Sequence, residues 1–389
     1  MRDGIGMARR RFLGVLGAVA GAAGLTGEVP AAAVTRPADG VRRAYLGTYT
    51  SGQPDPGPGI GLAEYQPATG RLTATGVLAG VANPSFLALD PTGRTLYAVN
   101  EQAEGGVTAC AVTADGGLRV LDTQPTEGAG PCHLSVHPGG RFLLTANYTS
   151  GSVVVHPIRA DGGLDAPSDL VQHSGSGPDP DRQAGPHAHM VRVDPDGRHV
   201  LAVDLGTDSV YAYSLDQGSG RLRLVRQNRL AAGSGPRHLA FHPSGRVCYV
   251  VNELASTIVA CGYQSATGTL LPGEAHPTVP AGKAGERNYP AEVLVSADGR
   301  FVYVSNRGHD SVAVFGTDRD GATLQPLGST PSGGHYPRHM ALDPSGRLLV
   351  AANQLSGTVV AFAVDPQRGT LTPTGATLAT PTPLCALLT

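Results

Sequence analysis

Short apolar runs alternate with polar breaks rich in Gly and Pro along most of the chain. Pro84 to Leu89 is one such run. The turn Asp90-Pro91-Thr92-Gly93-Arg94 follows it, and a second run, Thr95 to Val99, ends at Asn100-Glu101. Pro and Gly in the turn preset the backbone for a tight reversal, so the pair of runs predicts a β-hairpin. The same phrase recurs at His137–Arg141 ending in Asn147-Tyr148, at Asp194–Arg198 ending in Asp204-Leu205, and at His242–Arg246 ending in Asn252-Glu253. It recurs again at Ser296–Arg300 ending in Asn306-Arg307 and at Asp343–Arg347 ending in Asn353-Gln354. The turn glycines (93, 140, 197, 245, 299, 346) are spaced by 47, 57, 48, 54 and 47 residues. Third runs (Gly106 to Val112, Ser152 to Pro157, Ser209 to Tyr213, Ser311 to Phe315, Thr358 to Val364) and fourth runs beginning near Leu118, Leu164, Leu222, Leu270, Leu324 and Leu371 complete the unit. Four short strands repeating about every 50 residues define a β-propeller blade. No segment after residue 30 sustains a 3.6-residue apolar period, which argues against helical repeats.

The six turns leave strand-like sequence at both ends. Ala44-Tyr45-Leu46-Gly47-Thr48-Tyr49 aligns with Leu96-Tyr97-Ala98-Val99-Asn100-Glu101, a second strand with no first strand before it. Pro383-Leu384-Cys385-Ala386-Leu387 resembles the first strand Pro337-Arg338-His339-Met340-Ala341. Pairing the C-terminal strand beside residues 44–49 would close the ring and remove bare strand edges. The expectation is an all-β, seven-bladed propeller over residues 43–389, with one blade shared between the chain ends. A six-bladed ring with loose ends is the alternative.

Composition narrows the function classes. Trp is absent, which removes the Trp-Asp signature of one propeller class. The net charge is −2, so no basic stripe for nucleic acid is present. The five cysteines, Cys110, Cys132, Cys248, Cys261 and Cys385, lack metal-ligand spacing and read as small buried hydrophobes. Arg9-Arg10-Arg11-Phe12-Leu13, the uncharged stretch Gly14 to Leu25 and the small residues Ala31-Ala32-Ala33 read together as a twin-arginine export signal over residues 1–33. The apolar stretch is too short to span a bilayer, so the mature chain is expected to be exported, without a membrane span, as a monomer.

Stacking the repeats on the turn converts scattered polar residues into rings. Four residues before the turn stand Phe86, His133, Met190, His238, Glu292 and His339; five before it stand Ser85, Cys132, His189, Arg237, Ala291 and Arg338. Seven after the turn glycine stand Asn100, Asn147, Asp204, Asn252, Asn306 and Asn353; eight after it stand Glu101, Tyr148, Leu205, Glu253, Arg307 and Gln354, with Tyr49 in the shared blade. The start of one hairpin strand and the end of the next lie at the same end, so all four rings fall on one face. The Asn ring recurs in nearly every blade and reads as structural, satisfying backbone groups at strand ends. The other rings vary as a single asymmetric site would. So many ionisable groups at one channel mouth must pair with each other or bind something. A solvated, salt-bridged funnel is the alternative. Two long Gly/Pro-rich connections, Gln172 to His187 and His276 to Pro290, reach the same face and are expected to form its rim.

Gly235-Pro236-Arg237-His238, Asn252-Glu253-Leu254, His187-Ala188-His189, Asp204-Leu205-Gly206 and Ser305-Asn306-Arg307-Gly308 together resemble the seven-bladed lactonase family. That family includes the propeller-type 6-phosphogluconolactonase and the fungal 3-carboxy-cis,cis-muconate lactonizing enzyme. The resemblance implies a site at the channel mouth built on one His, two Arg and one Glu, here His189, Arg237, Arg307 and Glu253. A lactone is an internal ester, and its hydrolysis needs an activated water, charge stabilisation at the carbonyl oxygen and a proton for the leaving alkoxide. His189 is assigned as general base or acid. Glu253 would orient the site or share the proton work, and Arg237 and Arg307 would hold a substrate anion or the developing oxyanion. Arg338, Glu101, His133, His238, His339 and Tyr49 are expected to contact the small anionic lactone. The same residues could add a carboxylate across a double bond, making a lactonizing isomerase, and a non-catalytic exported propeller is the competing class. No Gly-x-Ser-x-Gly nucleophile elbow is present. His187-x-His189 with Asp204 could ligate a metal, but the spacing is not diagnostic, and neither metal nor cofactor is expected.

Overall fold

The computed structural model of the chain describes residues 40–282 and 287–389. The candidate export signal, residues 1–33, and Lys283 in the second long connection lie outside the described residues. Within them are seven four-stranded antiparallel sheets and no α-helix, so no helix there is long and apolar enough to cross a membrane. Blade 1 runs from Leu87 to Pro125, blade 2 from Pro131 to Gln172, blade 3 from Ala188 to Arg229 and blade 4 from Pro236 to Pro277. Blade 5 runs from Tyr289 to Pro331 and blade 6 from Pro337 to Ala379. Blade 7 is the composite. Strand Pro383–Leu388 pairs with Arg42–Thr48 in the register Ala44↔Leu388 and Gly47↔Cys385, and Gly59–Tyr65 and Leu72–Ala79 lie outside them. The first strands of successive blades touch one another around the whole circle, blade 7 against blade 1 included. The ring is therefore closed and lined by first strands.

The apolar runs explain the packing. Second and third strands are buried on both faces, as in Thr95–Asn100 and Phe142–Asn147, because each blade has a neighbour on either side. Fourth strands such as Leu72–Ala79 and Leu324–Pro331 are mostly exposed. Seven hydrophobic clusters fill the seven interfaces between adjacent blades. One joins Leu201, Val203 and Val210 of blade 3 to Leu239, Cys248 and Val250 of blade 4. Another joins Leu46 and Tyr65 of the composite blade to Val350 and Val359 of blade 6. Each large side chain so buried contributes about 1.5–3 kcal/mol. All five cysteines are buried and unpaired.

The Asn ring clasps one blade to the next. Asn100 Nδ2 donates to Ala82 O at 2.9 Å, Asn306 Nδ2 to Thr278 O at 2.8 Å and Asn353 Nδ2 to Ser332 O at 3.1 Å. Each acceptor belongs to the connection arriving from the preceding blade. Blade 3 carries Asp204 in place of Asn, with the hydrogen-bond polarity reversed. Asp204 Oδ1 accepts from the backbone N–H of His187 and Thr207 at 2.9 and 3.0 Å, and Oδ2 lies 2.6 Å from Nδ1 of the buried His173.

Candidate active site

A β-bulge near the start of the first strand sets the site in three blades. In blade 3, Ala188 pairs with Asp204 and Met190 with Val203, leaving His189 as the extra residue. Blade 4 skips Arg237 between Pro236 and His238, and blade 6 skips Arg338 between Pro337 and His339. A bulge sets two residues against one partner and so interrupts the strict alternation of faces. Arg237 and His238, adjacent in sequence, both reach acidic groups from neighbouring positions. Cys132, skipped in the same way in blade 2, donates its thiol to His189 O at 3.4 Å and braces that bulge.

Glu253 is the hub of the outer layer. Its Oε2 lies 2.6 Å from Arg307 Nη2 and 3.2 Å from Arg237 Nε, and its Oε1 lies 2.6 Å from Arg182 Nη2. Burial pushes the Glu253 carboxyl up, but Arg307, Arg237 and Arg182 together outweigh it and hold the group at about 2. Glu253 is thus a fixed carboxylate that orients three guanidinium groups. Arg307 also donates from Nε to Tyr289 O at 3.0 Å and lies over the Tyr336 ring. Arg237 donates from Nη1 to Ala291 O at 2.5 Å. Burial, reinforced by Arg307 and Arg338, brings its guanidinium down to about 9. On the other side of the mouth, Tyr49 donates its hydroxyl to Glu101 Oε1 at 2.8 Å, and Arg338 stands 3.8 Å from Glu101 Oε2.

Arg182 was not among the residues expected from the sequence. It lies in the connection from Gln172 to His187, the longer of the two extended connections on this face. The connection is pinned by the buried Gln183, whose Nε2 donates to Leu205 O and to Asp208 Oδ1, both at 2.8 Å. Asp208 also accepts from the backbone N–H of Gly233 and Gly235, each at 2.7 Å, just ahead of Arg237. One carboxylate thereby registers the loops that carry Arg182 and Arg237. Gly206 permits the close approach, since a Cβ there would stand 1.9 Å from Gly185 O. The expectation that this loop rims the site was the signal that could have found Arg182.

His189 sits beside this cluster, 5 % exposed, with Nδ1 buried and unpartnered among the described residues. Burial, with Arg237, His238, Arg338 and Arg307 adding to it, drives its pKa well below the ordinary histidine value, so the imidazole is neutral at pH 7. Tyr148 packs its ring edge to face on His189 at 5.4 Å and lies 3.3 Å from Arg182 through its hydroxyl. His187 stacks on Tyr148 and uses Nδ1 on Tyr148 O at 2.9 Å. Among the described residues no three His, Cys, Asp or Glu side chains are arranged to hold a metal ion.

The remaining three histidines lie one residue deeper along their strands. His133, His238 and His339 pack around Phe86, with ring centroids 4.2, 6.3 and 5.5 Å from it. They also meet one another, Glu292, backbone amides and, through His238, the His189 ring. His238 Nδ1 is 3.1 Å from both Glu292 oxygens, and His339 Nε2 is 3.4 Å from Glu292 Oε2. The repeat brings the ionisable ring residues to one end of the channel, and the structure divides them into an outer Arg/Glu layer and an inner His/Glu layer.

A closed seven-bladed propeller with a His, Arg and Glu cluster at its channel mouth defines a class that comparison with known sequences identifies. The family described as lactonase, 7-bladed β-propeller, matches residues 43–388, and the chain belongs to it. Among its relatives is the 6-phosphogluconolactonase of Bacillus subtilis strain 168, 37% identical over 273 residues that make up 70% of this chain and 76% of that one. A crystal structure of a putative 6-phosphogluconolactonase from Bacteroides fragilis superposes with a TM-score of 0.83 at 33% identity, covering 90% of this chain and 98% of the other. The periplasmic gluconolactonase of Pseudomonas aeruginosa superposes with a TM-score of 0.82 at 31% identity, covering 90% and 99%.

Proposed function

We propose that this protein is an exported, monomeric lactonase that opens an anionic sugar lactone by water attack. The observation that carries the reading is the charge balance around a neutral histidine. Arg182, Arg237, Arg307 and Arg338 face the channel mouth against the carboxylates of Glu101 and Glu253. Cations in excess in a partly desolvated funnel favour an anionic ligand. The names of the Bacillus and Pseudomonas relatives support a sugar lactone, and the periplasmic relative fits the twin-arginine pattern at residues 1–33.

In this reading His189 takes a proton from water as the water oxygen adds to the lactone carbonyl carbon. The negative charge that collects on the carbonyl oxygen is met by Arg237 or Arg307. The ring C–O bond then breaks, and His189 returns its proton to the departing alkoxide. Glu253, held ionised by three guanidinium groups, takes no part in the proton transfers and keeps those groups in place.

The test is hydrolysis by the purified mature chain of glucono-lactone, 6-phosphoglucono-lactone and carboxymuconolactone, beside the His189→Ala variant. Hydrolysis of the phosphorylated or carboxylated lactone, with turnover about 10²–10⁴-fold lower in the variant, is the expected outcome. Binding without turnover would return the protein to the non-catalytic class. Ring closure of a muconate would make it an isomerase.

A further inference from the structure

Beneath His189 lies a buried pair of ionisable groups that lactone opening, as described, leaves unused. His238 and Glu292 are 2 % and 5 % exposed. Burial raises the Glu292 carboxyl, opposed by His339, Arg237, the Val293 backbone N–H and Arg192. The backbone N–H of Val293 donates to Oε1 at 3.1 Å, and His238 Nδ1 stands 3.1 Å from each oxygen. His339 accepts the Ala386 backbone N–H on its Nδ1 at 3.3 Å, so its Nε2 carries the proton that faces Glu292 at 3.4 Å. An ionised Glu292 draws the His238 proton to Nδ1 and leaves a lone pair on Nε2. That nitrogen is buried and has no partner among the described residues, and the same holds for Nδ1 of His189. The two rings meet edge to face with centroids 5.1 Å apart. Two orphaned ring nitrogens on neighbouring buried rings need an explanation, and a single water held between them would satisfy both.

We infer that Glu292 and His238 are positioning residues that fix the tautomer of His189. The Glu292 carboxylate accepts from His238 Nδ1–H, His238 Nε2 accepts through one water from His189 Nδ1–H, and His189 Nε2 is left as the lone pair that takes a proton. The hydrogen bond on one ring nitrogen decides the protonation of the other. When His189 takes its proton, the positive charge is stabilised along the chain toward Glu292, and no atom is transferred to Glu292. The inference rests on the assignment of His189 as the proton acceptor.

Glu292→Gln keeps the size of the side chain but removes its negative charge and one of its two acceptor oxygens, and so loosens the hold on the His238 Nδ1 proton. Two readouts separate this inference from the assignment beneath it. The first is the ¹⁵N spectrum of histidine-labelled protein without substrate. His189 and His238 should both be Nδ1–H tautomers in the native chain, and His238 should lose that single tautomer in Glu292→Gln. The second is the pH profile of turnover on whichever lactone the native chain hydrolyses. Glu292→Gln should lower kcat by about 10²-fold or more at unchanged KM, the direction seen when a tautomer-setting carboxylate is replaced in a hydrolase triad. Its acidic limb should move to lower pH, because a negative charge that favours the imidazolium is gone. The other charged and titratable groups facing the pair, Arg192, Arg237, Arg307, Arg338, Glu253, His133 and His339, are the same in both proteins. Native tautomers other than Nδ1–H, or a Glu292→Gln variant with kcat within about twofold and an unmoved acidic limb while His189→Ala is inactive, would overturn the inference. Full activity in His189→Ala would remove both it and the assignment it rests on.

Discussion

The two faces of the propeller are built from the same four-strand unit and use it in opposite ways. On the turn face three blades solve one problem alike. Asp90, Asp194 and Asp343 each accept, on Oδ1, the backbone N–H groups four and five residues ahead. Where the first position is His, the ring instead accepts the N–H two residues ahead, as His137 Nδ1 does from Gly139 at 3.0 Å and His242 Nδ1 from Ser244 at 3.1 Å. On the channel-mouth face the equivalent positions differ in nearly every blade, and their side chains meet across blades. Repetition marks what each hairpin needs in order to fold. Variation at equivalent positions marks where one asymmetric site was assembled from several blades. The Asn ring obeys the first rule although it lies on the second face, because its partners are backbone groups of its own blade junction.

Substitutions that confuse the two roles test this contrast. The largest effect is expected at Glu253, where the site also carries stability. Glu253→Ala would leave Arg237 and Arg307 buried without their counter-charge, at a cost of about 3–5 kcal/mol, and should abolish turnover as well. Thermal unfolding and activity read both. The native chain has a matching pH dependence. The folded-state pKa of Glu253, about 2, lies below the ordinary 4.5. The stabilisation is therefore complete above about pH 4.5 and is lost as pH falls toward 2, and it amounts to about 3 kcal/mol. Acid titration of stability should show this loss in the native chain and not in Glu253→Gln. An unchanged acid profile would mean that the three guanidinium groups are not held by this carboxylate.

A smaller and more selective effect is expected at Arg182, which one loop contributes and whose side chain is about one-third exposed. Arg182→Gln should raise KM for an anionic lactone by about tenfold, the loss of one charge-assisted contact, and leave KM for a neutral lactone and the unfolding temperature nearly unchanged. Equal losses on both substrates would place Arg182 in scaffolding. The smallest effect belongs to the repeated elements. Asn353→Ala removes one clasp to Ser332 O and should cost about 1–2 kcal/mol with activity intact. A fall in kcat from that change would contradict the division into folding and site positions.

The site was legible in the sequence to the extent that it follows the repeat. His189, Arg237, Glu253, Arg307, Arg338 and Glu101 stand at fixed distances from a turn that could be counted, and the turn fixes which end of the strand they occupy. Arg182 was invisible to that count because it lies in an inserted connection, outside the positions that repeat from blade to blade. The separation of His133, His238 and His339 from the outer arginines was hidden for another reason. Strict alternation sends consecutive residues to opposite faces, and only the register of pairing reveals the bulges that interrupt it.

By itself the sequence determined the seven blades, the shared closing blade and the face that gathers the ionisable groups, because turn chemistry and the repeated short apolar runs act locally. Tertiary structure alone decided which charges pair, which histidine keeps a free nitrogen and which loop arginine reaches across the mouth. Those outcomes depend on distances between blades more than fifty residues apart in sequence, such as the contact of Arg307 with Glu253. No local rule sets such a distance; it is fixed only when the ring closes.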